Sequence, residues 1–336
     1  MRGTGARTAG STTMKHKSIL VALIAIPLSL AAPPVAAQDG SALSVTLPEG
    51  LTKSQLGKRD MQVIAVQAML DRTNHSPGVI DGYMGGNTRR AIEAYRSNND
   101  LPAGDGIDDA LLKSLQDAQS GSVFTTYTLT EDDVSGPFYD IPSGFAEQAD
   151  LERVGYKNAQ EMLAERFHMD QKFFSALNPN ADLGKAGQKI VVISKGDGAV
   201  SGTITRIEVR KDAGEVAALD AEGNELATYP ATIGSGEFPS PSGSMTVNAI
   251  AAEANYTFDP DDQKWGPDKT FVIPAGPNNP IGGVWIDLGK DGYGIHGSPD
   301  PQLIGKTTSH GCVRLTNWDA RALARAVSQG VKVEFV

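Results

Sequence analysis

Residues 293–297 read Tyr-Gly-Ile-His-Gly, and residues 309–317 read Ser-His-Gly-Cys-Val-Arg-Leu-Thr-Asn. Cys312 is the only cysteine in the chain, so it cannot form an intramolecular disulfide bond. Two of the five histidines, His296 and His310, lie close to it in the sequence. Cysteine attacks a carbonyl carbon as the thiolate, and a nearby imidazole lowers the pKa of the thiol. The pattern therefore predicts a cysteine nucleophile with a histidine base.

The glycine that precedes Cys312 fits this chemistry. Gly311 allows the backbone to approach a substrate closely, and it allows consecutive N–H groups to turn toward one point, as an oxyanion hole requires. Two other interpretations stay open: Cys312 could be buried and inert, or it could bind zinc together with His296 and His310. Zinc is disfavoured because the sequence has no closely spaced C-x-x-C ligand pair. We expect neither a metal nor an organic cofactor.

The order of these residues resembles the catalytic signature of the YkuD-type L,D-transpeptidases, His-Gly followed by Ser-His-Gly-Cys-x-Arg. The resemblance extends over residues 201–336 and includes further motifs in the expected order: Ser240-Pro241-Ser242-Gly243, Asn279-Pro280-Ile281-Gly282, Trp285-Ile286-x-Leu288 and Leu303-Ile304-Gly305. Ser240 replaces a threonine of the family pattern, and Arg314 stands where some members have asparagine. Residues 250–267 look like an insertion that could form a lid or a substrate wall.

The resemblance implies acyl transfer on the stem peptides of peptidoglycan. Cys312 would attack the bond that follows diaminopimelate in a tetrapeptide, release D-alanine and retain a thioester. An amine of a second stem would then form a 3–3 cross-link, and water as the acceptor would make the enzyme an L,D-carboxypeptidase. Alternatives are attachment of an outer-membrane protein, hydrolysis of such a link, and a wall-binding protein without catalysis.

The resemblance also implies roles for single residues. His296 is the base, oriented by a backbone carbonyl near Gly297, while His310 shapes the pocket and the oxyanion region. Gly311 and Cys312 supply backbone N–H donors to the oxyanion. The predicted substrate-binding residues are Arg314, Ser309, Gly297 and Asn317. In the alternative readings His310 is structural, Arg314 pairs with an acid such as Asp319, and Ser309 bonds the loop backbone.

The fold class that we predict is multidomain, with a small all-α domain, a small α+β module and a mostly-β catalytic domain. Residues 51–117 have helical periodicity, with Asn87 as a predicted N-cap. They resemble a peptidoglycan-binding domain through Gln67, Leu70, Gly78, Asp81, Gly82, Gly85, Thr88, Ala91 and Tyr95. A helical spacer that has lost the binding is the alternative.

Residues 127–195 follow a linker at 118–126 and resemble a degenerate LysM module, which binds glycan. Asp170 is a predicted N-cap, and residues 190–193 are a predicted strand. The usual front of such a module is replaced by residues 127–156. Residues 201–336 alternate as β-strands, with one short helix at 317–328 that Thr316 and Asp319 cap and Gly330 ends.

The N-terminal segment predicts export. Residues 1–37 combine a basic start, a short apolar run and small residues at 35–37, as in a secretory signal peptide; an uncleaved anchor is the alternative. A linker at 38–50 follows. Cleavage would leave 26 basic against 40 acidic residues, because four of the 30 Lys and Arg residues precede it. This acidity gives no general attraction to nucleic acid. We expect a periplasmic enzyme without a membrane span after cleavage, with peptidoglycan as its partner.

Overall fold

The computed structural model describes residues 45–234, 236, 239–261, 263, 266–290, 292–309 and 311–336. The predicted signal peptide at 1–37 and His310 lie outside the described residues, and so does the linker up to residue 44. Among the residues that are described, no helix has the length and the apolar character needed to cross a membrane.

The N-terminal region is helical, as predicted. A 3-10 turn at Lys53–Leu56 precedes α1 (Met61–Arg72), α2 (Gly86–Asn98) and α3 (Asp109–Ala118). The carboxylates of Asp60 and Asp108 begin α1 and α3 by accepting hydrogen bonds from first-turn amides. Asn87 was wrongly predicted as the cap of α2. The N-cap is Gly85, and the Asn87 side chain donates to the carbonyl of Ile304 in the catalytic domain at 2.9 Å instead.

Residues of the predicted peptidoglycan-binding motif hold their own loop together. The Gln67 amide donates to the Asp81 carboxylate at 2.9 Å and to the Thr88 hydroxyl at 3.0 Å. Its oxygen accepts from the amides of Asp81 and Gly82 at 3.1 and 2.9 Å. Gln67 is 1 % exposed. These motif residues therefore stabilise the fold of the helical domain.

The middle region is a small α+β unit. It consists of β1 (Phe124–Thr128), α4 (Glu131–Ser135), α5 (Phe145–Ala149), α6 (Ala159–Arg166), α7 (Gln171–Leu177) and β2 (Lys189–Ile193). β1 and β2 pair antiparallel. The Asp170 carboxylate caps α7 by accepting from the Phe173 amide at 2.8 Å, which confirms the predicted cap. The resemblance of this unit to a LysM module stays a prediction.

The helical and middle regions share one apolar core. Ile64 and Ala68 of α1 and Ile80 of the motif loop pack with the buried side chains of β1, α6, α7 and β2. Burial of apolar surface is the main stabilising contribution in such small units. Removal of one region would therefore expose apolar surface of the other.

The C-terminal region is mostly β, as predicted. Its strands are β3 (Arg206–Arg210), β4 (Glu215–Leu219), β5 (Glu225–Pro230), β6 (Thr232–Ile233), β7 (Gly243–Thr246), β8 (Ala249–Ala251), β9 (Tyr256–Phe258), β10 (Phe271–Ile273), β11 (Trp285–Asp287), β12 (Gly294–His296), β13 (Val313–Arg314) and β14 (Lys332–Phe335). They form two five-stranded sheets, in the orders β6-β13-β12-β11-β8 and β5-β4-β3-β14-β7, and a β9–β10 hairpin.

One helix of the C-terminal region, α8 (Asn317–Ala326), packs with the two sheets around a common core. Thr316 caps it by accepting from the Asp319 amide at 3.2 Å, as predicted, but the second half of the predicted capping box is not formed and the Asp319 carboxylate accepts from the Ser76 hydroxyl. The helix ends two residues before the predicted position, because Val327 has an extended backbone. Gly330 is therefore not its stop.

The two N-terminal regions dock on the catalytic domain through backbone hydrogen bonds. The amide of Ser76 donates to the carbonyl of Thr228, and the amide of Thr228 donates to the carbonyl of Asn74, each at 2.9 Å. These bonds occupy the free edge of β5, which is the outer strand of its sheet. The middle region also contacts the catalytic domain. The backbone N–H of Val154 donates to the carbonyl of Ala275 at 3.2 Å, and the backbone N–H of Asn278 donates to the carbonyl of Val154 at 3.1 Å.

Candidate active site

The predicted base and nucleophile come from two adjacent parallel strands. In the register of β12 and β13, Ile295 pairs with Val313 and His296 pairs with Arg314. Ile295 and Val313 are buried in the core. Since side chains alternate along a strand, His296 and Arg314 face the opposite side. By the same alternation, Cys312, two residues before Arg314, lies on the face of the sheet that carries His296 and Arg314.

His296 is a neutral imidazole with a defined tautomer. Its Nδ1 lies 2.7 Å from the carbonyl oxygen of Gly297, so Nδ1 carries the proton and Nε2 keeps its lone pair. Its ring stacks on Trp285 with the centroids 5.6 Å apart. Burial, followed by the nearby charge of Arg314, lowers the pKa of His296 to about 3, although the Gly297 carbonyl opposes this shift. The imidazole is therefore uncharged at neutral pH, and the hydrogen bond of Nδ1 leaves the lone pair of Nε2 free.

Cys312 is held as a thiol between backbone groups. Its Sγ donates to the carbonyl of Gly292 at 3.1 Å. Burial raises the pKa of the thiol, while the N–H of Gly294 and the charge of Arg314 act in the opposite direction. The Cys312 thiol and the His296 imidazole are thus both neutral, whereas the sequence pattern suggests a preformed thiolate. Proton removal by a base then has to accompany the attack of sulfur.

The loop before Cys312 is held by Ser309 and Ser240. The Ser309 hydroxyl donates to the carbonyl of Cys312 at 2.6 Å and accepts from the amide of Gly311 at 3.2 Å. The Ser240 hydroxyl donates to the carbonyl of Gly311 at 2.7 Å. Gly311 has a φ of +113°, which side-chain-bearing residues rarely adopt.

This loop geometry affects the predicted roles of Gly311 as an oxyanion donor and of Ser309 as a substrate-binding residue. The Gly311 amide is occupied by Ser309, so in this conformation it is not available as an oxyanion donor. The Ser309 hydroxyl bonds the loop backbone, as the alternative interpretation expects. A contact of Ser309 with substrate stays a prediction.

Arg314 is oriented toward the site rather than toward an acid. Its Nε is buried and has no hydrogen-bond partner among the described residues. Asp319, the acid suggested by the alternative reading, instead accepts from the Ser76 hydroxyl at 3.0 Å. The charge of Arg314 contributes to the pKa shifts of both His296 and Cys312. A guanidinium whose Nε has no partner among the described residues can receive a carboxylate.

Asn317 is predicted to bind substrate, but both polar atoms of its side chain already have hydrogen-bond partners within the protein. It is fully buried. Its Oδ1 accepts from the Ser298 amide at 2.9 Å, and its Nδ2 donates to Glu165 at 2.8 Å and to the carbonyl of Pro277 at 3.0 Å. Gly297, which is also predicted to bind substrate, orients His296 through its carbonyl.

Sequence reasoning did not single out Tyr256 and Trp285 as site residues. Tyr256 lies on β9 within the predicted lid segment. Burial raises the pKa of its hydroxyl to about 12 with a smaller upward contribution from Cys312, while the hydrogen bond to Gln263 and the charge of Arg314 act in the opposite direction. Trp285 covers His296, and its ring leaves no room for a side chain at Gly294, where a Cβ would lie 2.5 Å from it. The available signals were the place of Trp285 in a quoted motif and the place of Tyr256 in the insertion at residues 250–267.

The two other described histidines lie elsewhere. His168 Nδ1 contacts the Asp71 carboxylate at 2.8 Å, and His75 packs edge-on against Tyr95. Within the described part of the chain, no group of three or more His, Cys, Asp or Glu side chains is arranged to hold a metal ion.

A thiol and an imidazole on one face of a β-sheet, with the imidazole oriented by a backbone carbonyl, are the groups that an acyl-transfer enzyme with a cysteine nucleophile uses. Residues 204–335 match the family model described as "YkuD: L,D-transpeptidase catalytic domain", and residues 59–113 match the model described as "Putative peptidoglycan binding domain". The chain therefore carries an L,D-transpeptidase catalytic domain behind a peptidoglycan-binding type of domain.

Three curated relatives have related names. The "Putative L,D-transpeptidase YkuD" of Bacillus licheniformis is 43% identical over 70 residues, which are 20% of this chain and 42% of the relative. The protein of the same name from Bacillus subtilis is 46% identical over 57 residues, 17% of this chain and 35% of the relative. The "Probable L,D-transpeptidase YbiS" of Escherichia coli is 45% identical over 65 residues, 19% and 21% respectively. The chain thus spans less than half the length of each.

A solved L,D-transpeptidase from Mycobacterium smegmatis aligns with a TM-score of 0.33 and 17% identity, over 45% of this chain and 74% of the other. A similarity this low supports no conclusion about the site.

Proposed function

We propose that this protein is an L,D-transpeptidase that acts on peptidoglycan stem peptides through a thioester on Cys312. The observation that carries the proposal is the hydrogen bond from His296 Nδ1 to the carbonyl of Gly297. It leaves Nε2 as the basic atom on the sheet face that Cys312 shares. The match of residues 204–335 to the catalytic-domain model supports the same reaction class.

The first half-reaction forms the thioester. His296 Nε2 takes the proton of the Cys312 thiol while sulfur attacks the carbonyl carbon of diaminopimelate in a tetrapeptide stem. The tetrahedral intermediate then collapses, the carbon–nitrogen bond to D-alanine breaks, and the imidazolium returns the proton to the leaving amine. The acyl group stays on sulfur.

The second half-reaction releases the acyl group. An amine of another stem attacks the thioester, His296 removes a proton from that amine, and the thiol is restored. The product is a 3–3 cross-link. Water in place of the amine would give a tripeptide, and an amine on another molecule would attach that molecule to the wall.

Arg314 is the residue that we propose to bind a substrate carboxylate. A guanidinium with a buried, unpartnered Nε is costly unless an acceptor reaches it. A carboxylate of the stem peptide provides such an acceptor beside the thiol. Since Arg314 also contributes to the pKa shifts of Cys312 and His296, substrate binding would change the charge around both groups.

The matched domains support a cell-envelope location for the proposed activity. Peptidoglycan lies outside the cytoplasmic membrane, and the predicted signal peptide at residues 1–37 would direct export to the periplasm. We propose that the domain matched at residues 59–113 helps to retain the enzyme at the wall.

Mass spectrometry of purified sacculi incubated with the enzyme tests this function. Dimers joined through 3–3 links would support transpeptidation, and trimmed tripeptides would identify the carboxypeptidase alternative. No change with the wild type, at protein concentrations that bind the sacculi, would favour a non-catalytic wall-binding protein. Cys312→Ala is the control, since it removes the nucleophile and one small side chain.

A further inference from the structure

Glu165 is a carboxylate of the middle region that lies buried against the catalytic domain. It belongs to α6 and is 9 % exposed. The hydroxyl of Tyr156 and the guanidinium of Arg321 donate to its Oε1 at 2.8 and 2.9 Å, and Asn317 Nδ2 donates to its Oε2 at 2.8 Å. Arg321 supplies the opposite charge that a buried carboxylate requires.

Glu165 and the carbonyl of Pro277 determine the orientation of the Asn317 amide. Both are acceptors, so the NH₂ group of Asn317 has to face them. The Oδ1 atom then faces the Ser298 N–H, which is a donor. With the amide reversed, Oδ1 would face two acceptors and the NH₂ group would face a donor.

Ser298 N–H and Gly297 C=O belong to the same peptide group. Asn317 Oδ1 accepts from the N–H side, and His296 Nδ1–H donates to the C=O side. The glycines allow this close approach, since a Cβ at Gly297 would lie 2.4 Å from Asn317 Oδ1 and one at Gly282 would lie 1.8 Å from it. The plane of the peptide group is thus held from the side opposite to His296.

All three donors along this path point toward Glu165. His296 donates to the peptide carbonyl, the peptide N–H donates to Asn317, and Asn317 donates to the carboxylate. Hydrogen bonds in such a chain polarise one another in the same direction. The negative end of the chain therefore favours a proton on Nδ1 and electron density on Nε2.

We propose that Glu165 is a positioning residue for the catalytic base, and that it acts through Asn317 and the 297–298 peptide group to keep Nε2 of His296 free. It would have the part of the acid in a catalytic triad, supplied by another module and transmitted through two amides. The middle region would then belong to the catalytic apparatus. This inference rests on the proposed function only for the turnover part of its test.

Glu161 offers a matched control on the same helix. Its Oε2 also contacts an asparagine of the catalytic domain, Asn278, at 3.1 Å, so it too joins α6 to that domain. Asn278 is bonded to Gly155 and Val154 of the middle region and not to the 297–298 peptide. If α6 only stabilises the interface, Glu165→Gln and Glu161→Gln should have similar effects.

The experiment compares the full chain with Glu165→Gln and Glu161→Gln. We expect Glu165→Gln to lower kcat for a tetrapeptide stem roughly ten-fold at unchanged KM, the size of one charge-assisted hydrogen bond. Glu161→Gln should leave kcat within about two-fold of the wild type. The rate of iodoacetamide alkylation of Cys312 near neutral pH should fall in the first variant alone.

Nitrogen-15 NMR of histidine-labelled protein gives a readout that is independent of turnover. The Nδ1–H proton of His296 should shift upfield in Glu165→Gln and stay in place in Glu161→Gln. Equal changes in both variants, or unchanged kcat, alkylation and NMR in a folded Glu165→Gln, would overturn the inference.

The inference can still be tested if Glu165→Gln does not fold or if the wild type turns over no stem peptide. If Glu165→Gln does not fold, the same alkylation and NMR comparison is made with Glu165→Asp and Glu161→Asp; a shift of the His296 Nδ1–H proton in the first variant alone supports the inference, and equal shifts refute it. If the wild type turns over no stem peptide, the proposed function fails, while alkylation and NMR still test the role of Glu165.

Discussion

Acid should destabilise this protein through His296, by an amount that follows from the difference between the folded-state and unfolded-state pKa of its imidazole. The folded-state pKa of His296 is lowered to about 3 from an ordinary value of 6.5, mainly by burial. Because the unfolded chain binds the proton more readily, stability is complete above pH 6.5 and is lost as the pH falls below that value. At pH 5 the unfolded state gains about 2 kcal/mol from this protonation, at 1.36 kcal/mol per pKa unit.

That magnitude depends little on the exact folded-state value. As long as the folded-state pKa lies below about 4, the loss at pH 5 is determined by the gap between pH 5 and the unfolded pKa of 6.5. Other buried groups also contribute. His75, with a pKa lowered to about 4 mainly by burial, has the same sign, whereas Asp319 and Glu215, with pKa values raised to about 7 mainly by burial, have the opposite sign.

A comparison with His296→Gln isolates the contribution of His296, since the other groups are common to both proteins. Urea unfolding at pH 7.5 and pH 5 gives the free energy of unfolding for each protein. The wild type should lose about 2 kcal/mol more than the variant over this interval. Equal losses would refute the assignment of His296 as a buried neutral imidazole, and with it the basis for its role as the base.

Three further predictions address the nucleophile, the base and the modules. Cys312→Ala should abolish the thioester while the fold persists, so intact-mass analysis with a carbapenem, whose reactivity the family resemblance suggests, should show one adduct on the wild type; an adduct on the variant would contradict the assignment. His296→Ala should slow alkylation of Cys312 by iodoacetamide near neutral pH more than His310→Ala does, and the reverse order would give the role of base to His310. The fragment 201–336 should lose turnover of soluble stem peptides as well as sacculus binding, because it lacks Glu165 and the cover of β5; full turnover by a folded fragment would show that the other regions serve only in binding.

This last expectation differs from the one that independent binding modules would give. Separate binding modules could be removed without harm to the chemical step, because remote contacts need not affect it. The structure instead joins the modules by a shared core and by hydrogen bonds that end beside His296, the proposed base. Loss of both activities would therefore reflect an incomplete catalytic domain.

The sequence by itself predicted the reaction class and determined the kind of structure in each region. A lone cysteine with Gly311 before it and two histidines nearby predicts nucleophilic catalysis, since an imidazole activates a thiol. The periodicity around Val63 and the caps at Asp170 and Thr316 predict helices, because these signals act within a few residues. Such local interactions are preserved in the folded protein.

Only the tertiary structure decided how the site is held and charged. Glu165 and Asn317 are 152 residues apart in the chain, and no local pattern connects them. Asn317 looks like a substrate ligand from its place in the motif, yet burial and three hydrogen bonds make it part of the scaffold. The lowered pKa of His296 and the raised pKa of Cys312 have the same origin, since burial acts through atoms that only the folded chain brings together.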